Sequence, residues 1–169
     1  MKVFKYIALI LMTAQMVMAK DTMKNHSFLS QTKQVSDNVW IGGQPTKQDF
    51  KQLDVGAIDA VINTRTASEM AQLNFNEFEL ATELGLNYDL IEVGKGHPYS
   101  PIKLAEFNTL MQSKSGQKIL LHCRSGNRAT QLYTAWLIKY QGQSETQALE
   151  SIGSSETQLN DAVKTLLGL

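Results

Sequence analysis

The chain has 169 residues, 43% of them hydrophobic and 19% charged, and its 16 basic residues balance its 16 acidic ones. That length suits one domain with one core. The balanced charge includes no basic block, which argues against a nucleic-acid partner. The single cysteine excludes an internal disulfide framework, and one Cys with three scattered His leaves no cluster at zinc spacing, so no metal or other cofactor is expected.

The first nineteen residues have the form of a secretory signal. Lys2 and Lys5 make a short basic start, residues 6–17 are almost wholly apolar, and Val17-Met18-Ala19 matches the small-residue pattern before a signal peptidase cut. The apolar run is short for a membrane span. The expectation is a periplasmic or secreted protein with no stable membrane anchoring after cleavage. The remainder carries 14 basic and 16 acidic residues once Lys2 and Lys5 are removed.

Residues 20–37 are polar and unpatterned and are expected to be a flexible lead-in. A domain is expected over 38–169. A strand over 38–41 is stopped by Gly42-Gly43 and Pro45. Thr46 can cap a helix running to Leu53, with Asp49 in the capping-box position. An apolar strand over 57–63 leads to a loop or irregular helix over 66–76. A helix over 77–84 is stopped by Gly85, and a third strand spans 87–93. Residues 94–99 form a Gly-Pro loop. Ser100 caps a helix with Pro101 in its first turn. A fourth strand covers 118–122, and a strongly apolar helix covers 129–140. Helices over 144–152 and 155–167 close the chain. Alternation of strands and helices predicts an α/β fold: a mainly parallel sheet of about four to five strands with helices on both faces. In such sheets, sites form beyond the carboxyl ends of the strands.

The only cysteine sits at such a place, in Ile119-Leu120-Leu121-His122-Cys123-Arg124-Ser125-Gly126-Asn127-Arg128. The peptide groups of Arg124, Ser125, Gly126 and Asn127 can curl their N–H groups inward as a nest for an anion. Gly126 supplies the backbone freedom for the curl. The following helix directs its positive end at the same spot. A thiolate there is stabilised relative to the thiol, and Arg128 can grip two oxygens of a tetrahedral anion. His122 is expected to orient the loop. The competing reading is a structural cysteine at an ordinary strand-to-helix turn, which two charges and a glycine make a poor fit.

The segment His122 to Arg128 resembles the signature of the bacterial β-lactamase-hydrolase-like phosphatase domain family, part of the protein tyrosine phosphatase and rhodanese-like group. Gly43-Gln44-Pro45, Val61-Ile62-Asn63-Thr64-Arg65, Glu69 and Gly85-Leu86-Asn87-Tyr88 are similar to segments of that family. The resemblance implies a tyrosine-phosphatase-like fold and a cysteine-dependent phosphatase acting on a phosphorylated protein or a small phosphoester through a phosphocysteine. It also implies catalytic roles for Cys123 and Arg128.

Two departures keep other chemistries open. Four residues separate cysteine and arginine where tyrosine phosphatases have five. The 94–100 stretch, where those enzymes carry a general-acid Asp, has no carboxylate. His97 could protonate a leaving oxygen there, or could be an ordinary solvated histidine. The shorter loop also suits a rhodanese-like sulfurtransferase, which would carry a persulfide on Cys123 between a sulfane-sulfur donor and a thiol acceptor. A third reading is a non-catalytic anion-binding module. Arg65, at the end of an apolar strand, could bind the substrate anion or pair with Glu69.

Overall fold

The computed structural model describes residues 28–53 and 57–169. The expected signal segment, residues 1–19, lies outside the described residues. The strands are β1 (Lys33–Ser36), β2 (Val39–Gly42), β3 (Ala60–Asn63), β4 (Asn87–Leu90) and β5 (Ile119–His122). Among the described residues the helices are α1 (Lys47–Gln52), α2 (Ala67–Met70), α3 (Glu77–Glu83), α4 (Pro101–Ser113), α5 (Asn127–Gln141), α6 (Glu145–Ser151) and α7 (Asp161–Leu167).

The five strands form one sheet in the order β1-β2-β5-β3-β4. Only β1 is antiparallel to its neighbour. The apolar runs of β3 and β5 are buried throughout, as central parallel strands covered on both faces should be. Alternate residues serve opposite faces. Ile62, Ile119 and Leu121 pack with α4, α5, α6 and α7, through Leu104, Phe107, Leu132, Leu149 and Leu166. Val61 and Leu120 pack on the other face with Phe50, Leu53, Leu80 and Ala81 of the α1 and α3 regions.

Local signals set most boundaries. Thr46 and Asp49 close the capping box of α1, and Ser100 caps α4 with Pro101 in its first turn. Several boundaries differ from the sequence-based expectation; the strand expected over 87–93, for example, ends at Leu90. The expected flexible lead-in is ordered from Phe28, which opens a 3-10 turn (Phe28–Gln31) ahead of edge strand β1. Its polar residues satisfy an exposed edge and so carry no apolar alternation. The stretch after Thr66, expected as a loop or irregular helix, opens with the short helix α2, fixed by a capping box between Thr66 and Glu69. The last helix starts only at Asp161, where Asn160 caps it.

The register positions the site. Gly42 of β2 and Asn63 of β3 both stand opposite His122 of β5. The chain segments leaving these three strands, 43–45, 64–66 and 123–126, therefore emerge side by side.

Candidate active site

Cys123 follows the last residue of β5, and α5 begins four residues later at Asn127. Gly126 occupies the N-cap of α5 with φ +89° and offers no side-chain cap. A β-carbon there would also lie 3.3 Å from the Gly42 carbonyl oxygen. Glycine is required on both counts. Because no side chain caps α5, its first N–H groups are left for whatever lies at its mouth. What lies there is the cysteine. The Gly126 N–H donates to Cys123 Sγ at 3.1 Å.

The Cys123 side chain is only 1% exposed, yet it belongs to neither apolar cluster. Burial pushes its pKa up, but hydrogen bonds from the amides of Ser125, Ala129 and Arg128, and the Arg128 charge, outweigh burial and set it below the ordinary thiol value. The side chains of Arg124, Ser125 and Asn127 are exposed; of the three, Ser125 reaches Cys123 through its backbone amide, while the Arg124 carbonyl accepts from the Gln44 N–H. Thr130 Oγ1 donates to the Gly126 carbonyl at 3.0 Å, which ties the loop to the first turn of α5.

Arg128 is fixed as a fork. Nη1 and Nη2 donate to Glu69 Oε2 and Oε1 at 2.7 and 2.8 Å, and Nη1 also reaches the Val93 carbonyl at 2.6 Å. Arg128 holds the Glu69 carboxyl down at about 2, and the same carboxylate and the Cys123 thiolate hold Arg128 charged. Such bidentate pairs are the geometrically specific ones.

Arg65 is turned into the wall. Its Nη1 donates to Gln44 Oε1 at 2.7 Å and its Nη2 to the Glu69 carbonyl at 3.3 Å. Its Nε, buried without a hydrogen-bond partner, faces Glu69 Oε1 at 3.7 Å. Glu69 thus stands between both arginines.

His122 is fully buried on the face of α3. Its Nε2 lies 2.8 Å from Glu77 Oε1, and its Nδ1 lies 3.4 Å from the Cys123 carbonyl. Glu77 has no mark in the sequence to set it apart from other acidic helix starts. Only the packing of α3 beneath β5 places it there, with 2% exposure.

His97 is half-exposed, at 39%, with Nε2 3.5 Å from Glu92 Oε2. Glu92 Oε1 accepts from the Ala67 N–H at 2.6 Å, so the 94–97 turn is tethered to α2. Tyr99, from the same loop, hydrogen-bonds Gln131 of α5. Burial raises its pKa, Arg128 lowers it and Cys123 raises it, with a net rise, which places its phenol in the field of the site. Sequence reasoning had not selected Tyr99. Lys95 is exposed. Among the described residues, no group of three or more His, Cys, Asp or Glu could hold a metal ion.

No protein-family model and no curated protein sequence matches the chain. Solved structures do. A DUF442 protein from Shewanella putrefaciens CN-32, named as a candidate phosphatase, is 23% identical over 82% of this chain and 89% of its own, with a TM-score of 0.64. Tk-PTP in its active form is 21% identical over 82% of this chain and 97% of its own, with a TM-score of 0.66. PTPMT1 is 21% identical over 80% of this chain and 90% of its own, with a TM-score of 0.62. The fold is that of the tyrosine-phosphatase-like cysteine phosphatases.

Proposed function

We propose that the protein is a cysteine-dependent phosphatase of the β-lactamase-hydrolase-like type. The arrangement that carries this reading is the Cys123 sulfur inside a ring of loop amides, beside an arginine locked by Glu69. The thiolate attacks phosphorus in line and the P–O bond to the leaving group breaks. The loop N–H groups and Arg128 hold the equatorial oxygens, where charge is spread in the transition state. Water then cleaves the phosphocysteine, releasing phosphate and returning the thiolate. His97 supplies the proton to a basic leaving oxygen, and Glu92 orients its ring. Among the fold relatives, PTPMT1 has been solved in complex with PI(5)P, so the substrate panel should pair phosphoinositides with phosphopeptides. The N-terminal signal pattern supports action in the periplasm or outside the cell. N-terminal sequencing of the protein recovered from that compartment should begin at Lys20.

Hydrolysis of an aryl phosphate should vanish in Cys123→Ser, and a phosphocysteine should be trapped by acid quench in the wild type. Equal turnover by the two proteins would end the proposal. One observation favours a second reading: the 94–100 loop offers no carboxylate, and sulfur transfer has no alkoxide to protonate. Mass spectrometry after thiosulfate treatment would then show Cys123 heavier by one sulfur atom.

A further inference from the structure

Beneath the cysteine loop lies a buried polar chain that the reaction does not touch. Glu77 is its centre. Its Oε1 lies 2.8 Å from His122 Nε2 and accepts from Asn63 Nδ2 at 3.3 Å, while its Oε2 accepts from Gln44 Nε2. Gln44 accepts from Arg65 Nη1 at 2.7 Å through its own Oε1, and its backbone N–H donates to the Arg124 carbonyl at 3.2 Å. Asn63 Nδ2 also reaches Tyr88 Oη at 2.9 Å. Two of the three donors that converge on Glu77 are thus fastened to the cysteine loop: His122 by the peptide bond to Cys123, and Gln44 by its amide.

A carboxylate only accepts, so it fixes His122 as an Nε2–H donor. The ring's other nitrogen faces the Cys123 carbonyl. The carboxylate thus pins the ring from one side while its other nitrogen packs against the Cys123 peptide, which fixes where the cysteine loop leaves β5. We infer that Glu77, acting through His122 and Gln44, is the positioning residue that holds the cysteine loop in its anion-binding shape. The inference rests on the phosphatase reading for its kinetic consequence only. Its effect on the sulfur can be read without any substrate, because Cys123 is the only cysteine.

The test is the pH dependence of Cys123 alkylation by iodoacetamide in the full chain, with kinetics alongside. Arg128 faces the sulfur from α5 and Tyr99 from the 94–99 loop, while Glu69 of α2 holds Arg128, and all three are left unchanged. Glu77→Gln keeps the shape and removes the charge. The alkylation midpoint should rise by about one pH unit as the weakened hold on His122 lets the loop amides lose their aim on Sγ, whereas removal of a buried negative charge alone would lower it, and kcat should fall about tenfold with KM nearly constant. The double variant Gln44→Glu with Glu77→Gln returns the charge to the network and an anion to Arg65, but leaves His122 without a carboxylate. It should fold and still show the raised midpoint. A wild-type midpoint in either folded variant would overturn the inference. Should both variants fail to fold, the wild type decides. Nitrogen-resolved spectra of its histidines should show His122 protonated at Nε2 through neutral pH. An unprotonated Nε2 would overturn the inference. Loss of turnover in the wild type, with the midpoint shift intact, would instead reject the phosphatase reading.

Discussion

Arg128 helps lower the pKa of Cys123 in a half-closed space, and Glu69 fixes where its charge sits. The carboxylate takes the arginine's fork and leaves its remaining donors for the sulfur. Because Arg128 holds the Glu69 carboxyl at about 2 rather than the ordinary 4.5, this pairing stabilises the fold fully above pH 4.5. The contribution is lost as pH falls from there towards 2. In Glu69→Gln the acid limb of a stability–pH profile should flatten over that window, and stability at pH 7 should drop by about 1 kcal/mol for a partly exposed pair. Chemical denaturation at several pH values checks both, and an unchanged acid limb would show that Arg128 finds its anchor elsewhere. His97 can be separated from the nucleophile by its leaving-group dependence. An aryl oxide departs without much help, whereas an alkoxide needs a proton. In His97→Ala, turnover of an alkyl phosphate should fall by about 100-fold, and that of an aryl phosphate far less. Equal losses would mean that His97, tethered to Glu92 at 3.5 Å, only shapes the 94–97 turn.

Among the elements, α5 decides the chemistry by how it begins. An ordinary helix start spends a side-chain oxygen on its own amides, as Thr46, Ser100 and Asn160 do here. Gly126 has none to offer, so the amides of α5 serve the sulfur instead. Gly126→Ala would have to hold a side chain at φ +89° and meet the Gly42 carbonyl at 3.3 Å. The cost should be about 1–2 kcal/mol, and the 126 amide should be pushed off Sγ. Thermal melting should show the first effect. A fall in kcat of about 100-fold, what one lost oxyanion donor costs at the low end, should show the second. A variant with wild-type turnover would mean that the remaining amides suffice. This element was readable in the sequence because its cause is local: a strand ending at Cys123, a glycine, an arginine and an apolar helix. The capping boxes of α1 and the start of α4 were legible for the same reason. Glu77 was not, because its role arises only when α3 packs under β5. Nor was the grip of Glu69 on Arg128, since the two are joined across the sheet rather than along the chain. The sequence pattern suggested only the nearer pairing of Glu69 with Arg65.

At the scale of the molecule, the site is a meeting of three strand ends in register, and its precision depends on how firmly the sheet holds β2. That strand has β5 on one side and only β1 on the other. Gly42, its last residue, faces the cysteine loop directly: its carbonyl accepts the Cys123 N–H at 3.4 Å and abuts Gly126. On its free side Gly42 is backed by Thr32 and the ring of Phe28. Phe28 is buried in the cluster with Phe50, Leu80 and Leu120. The 28–36 segment looks unremarkable in sequence, because an edge strand is specified by its partner and not by its own pattern, yet it clamps the outer side of the site. Removing the Phe28 ring should therefore act twice. Phe28→Ala should cost about 3 kcal/mol, the usual loss for a large buried aromatic. Freeing the end of β2 should also slow iodoacetamide alkylation of Cys123 at neutral pH, as the amides lose their alignment on the sulfur. Denaturant titration and alkylation rates on one preparation measure both. A stability loss with no change in thiol reactivity would show that β5 and α5 hold the cysteine loop unaided, and that the N-terminal edge only closes the core.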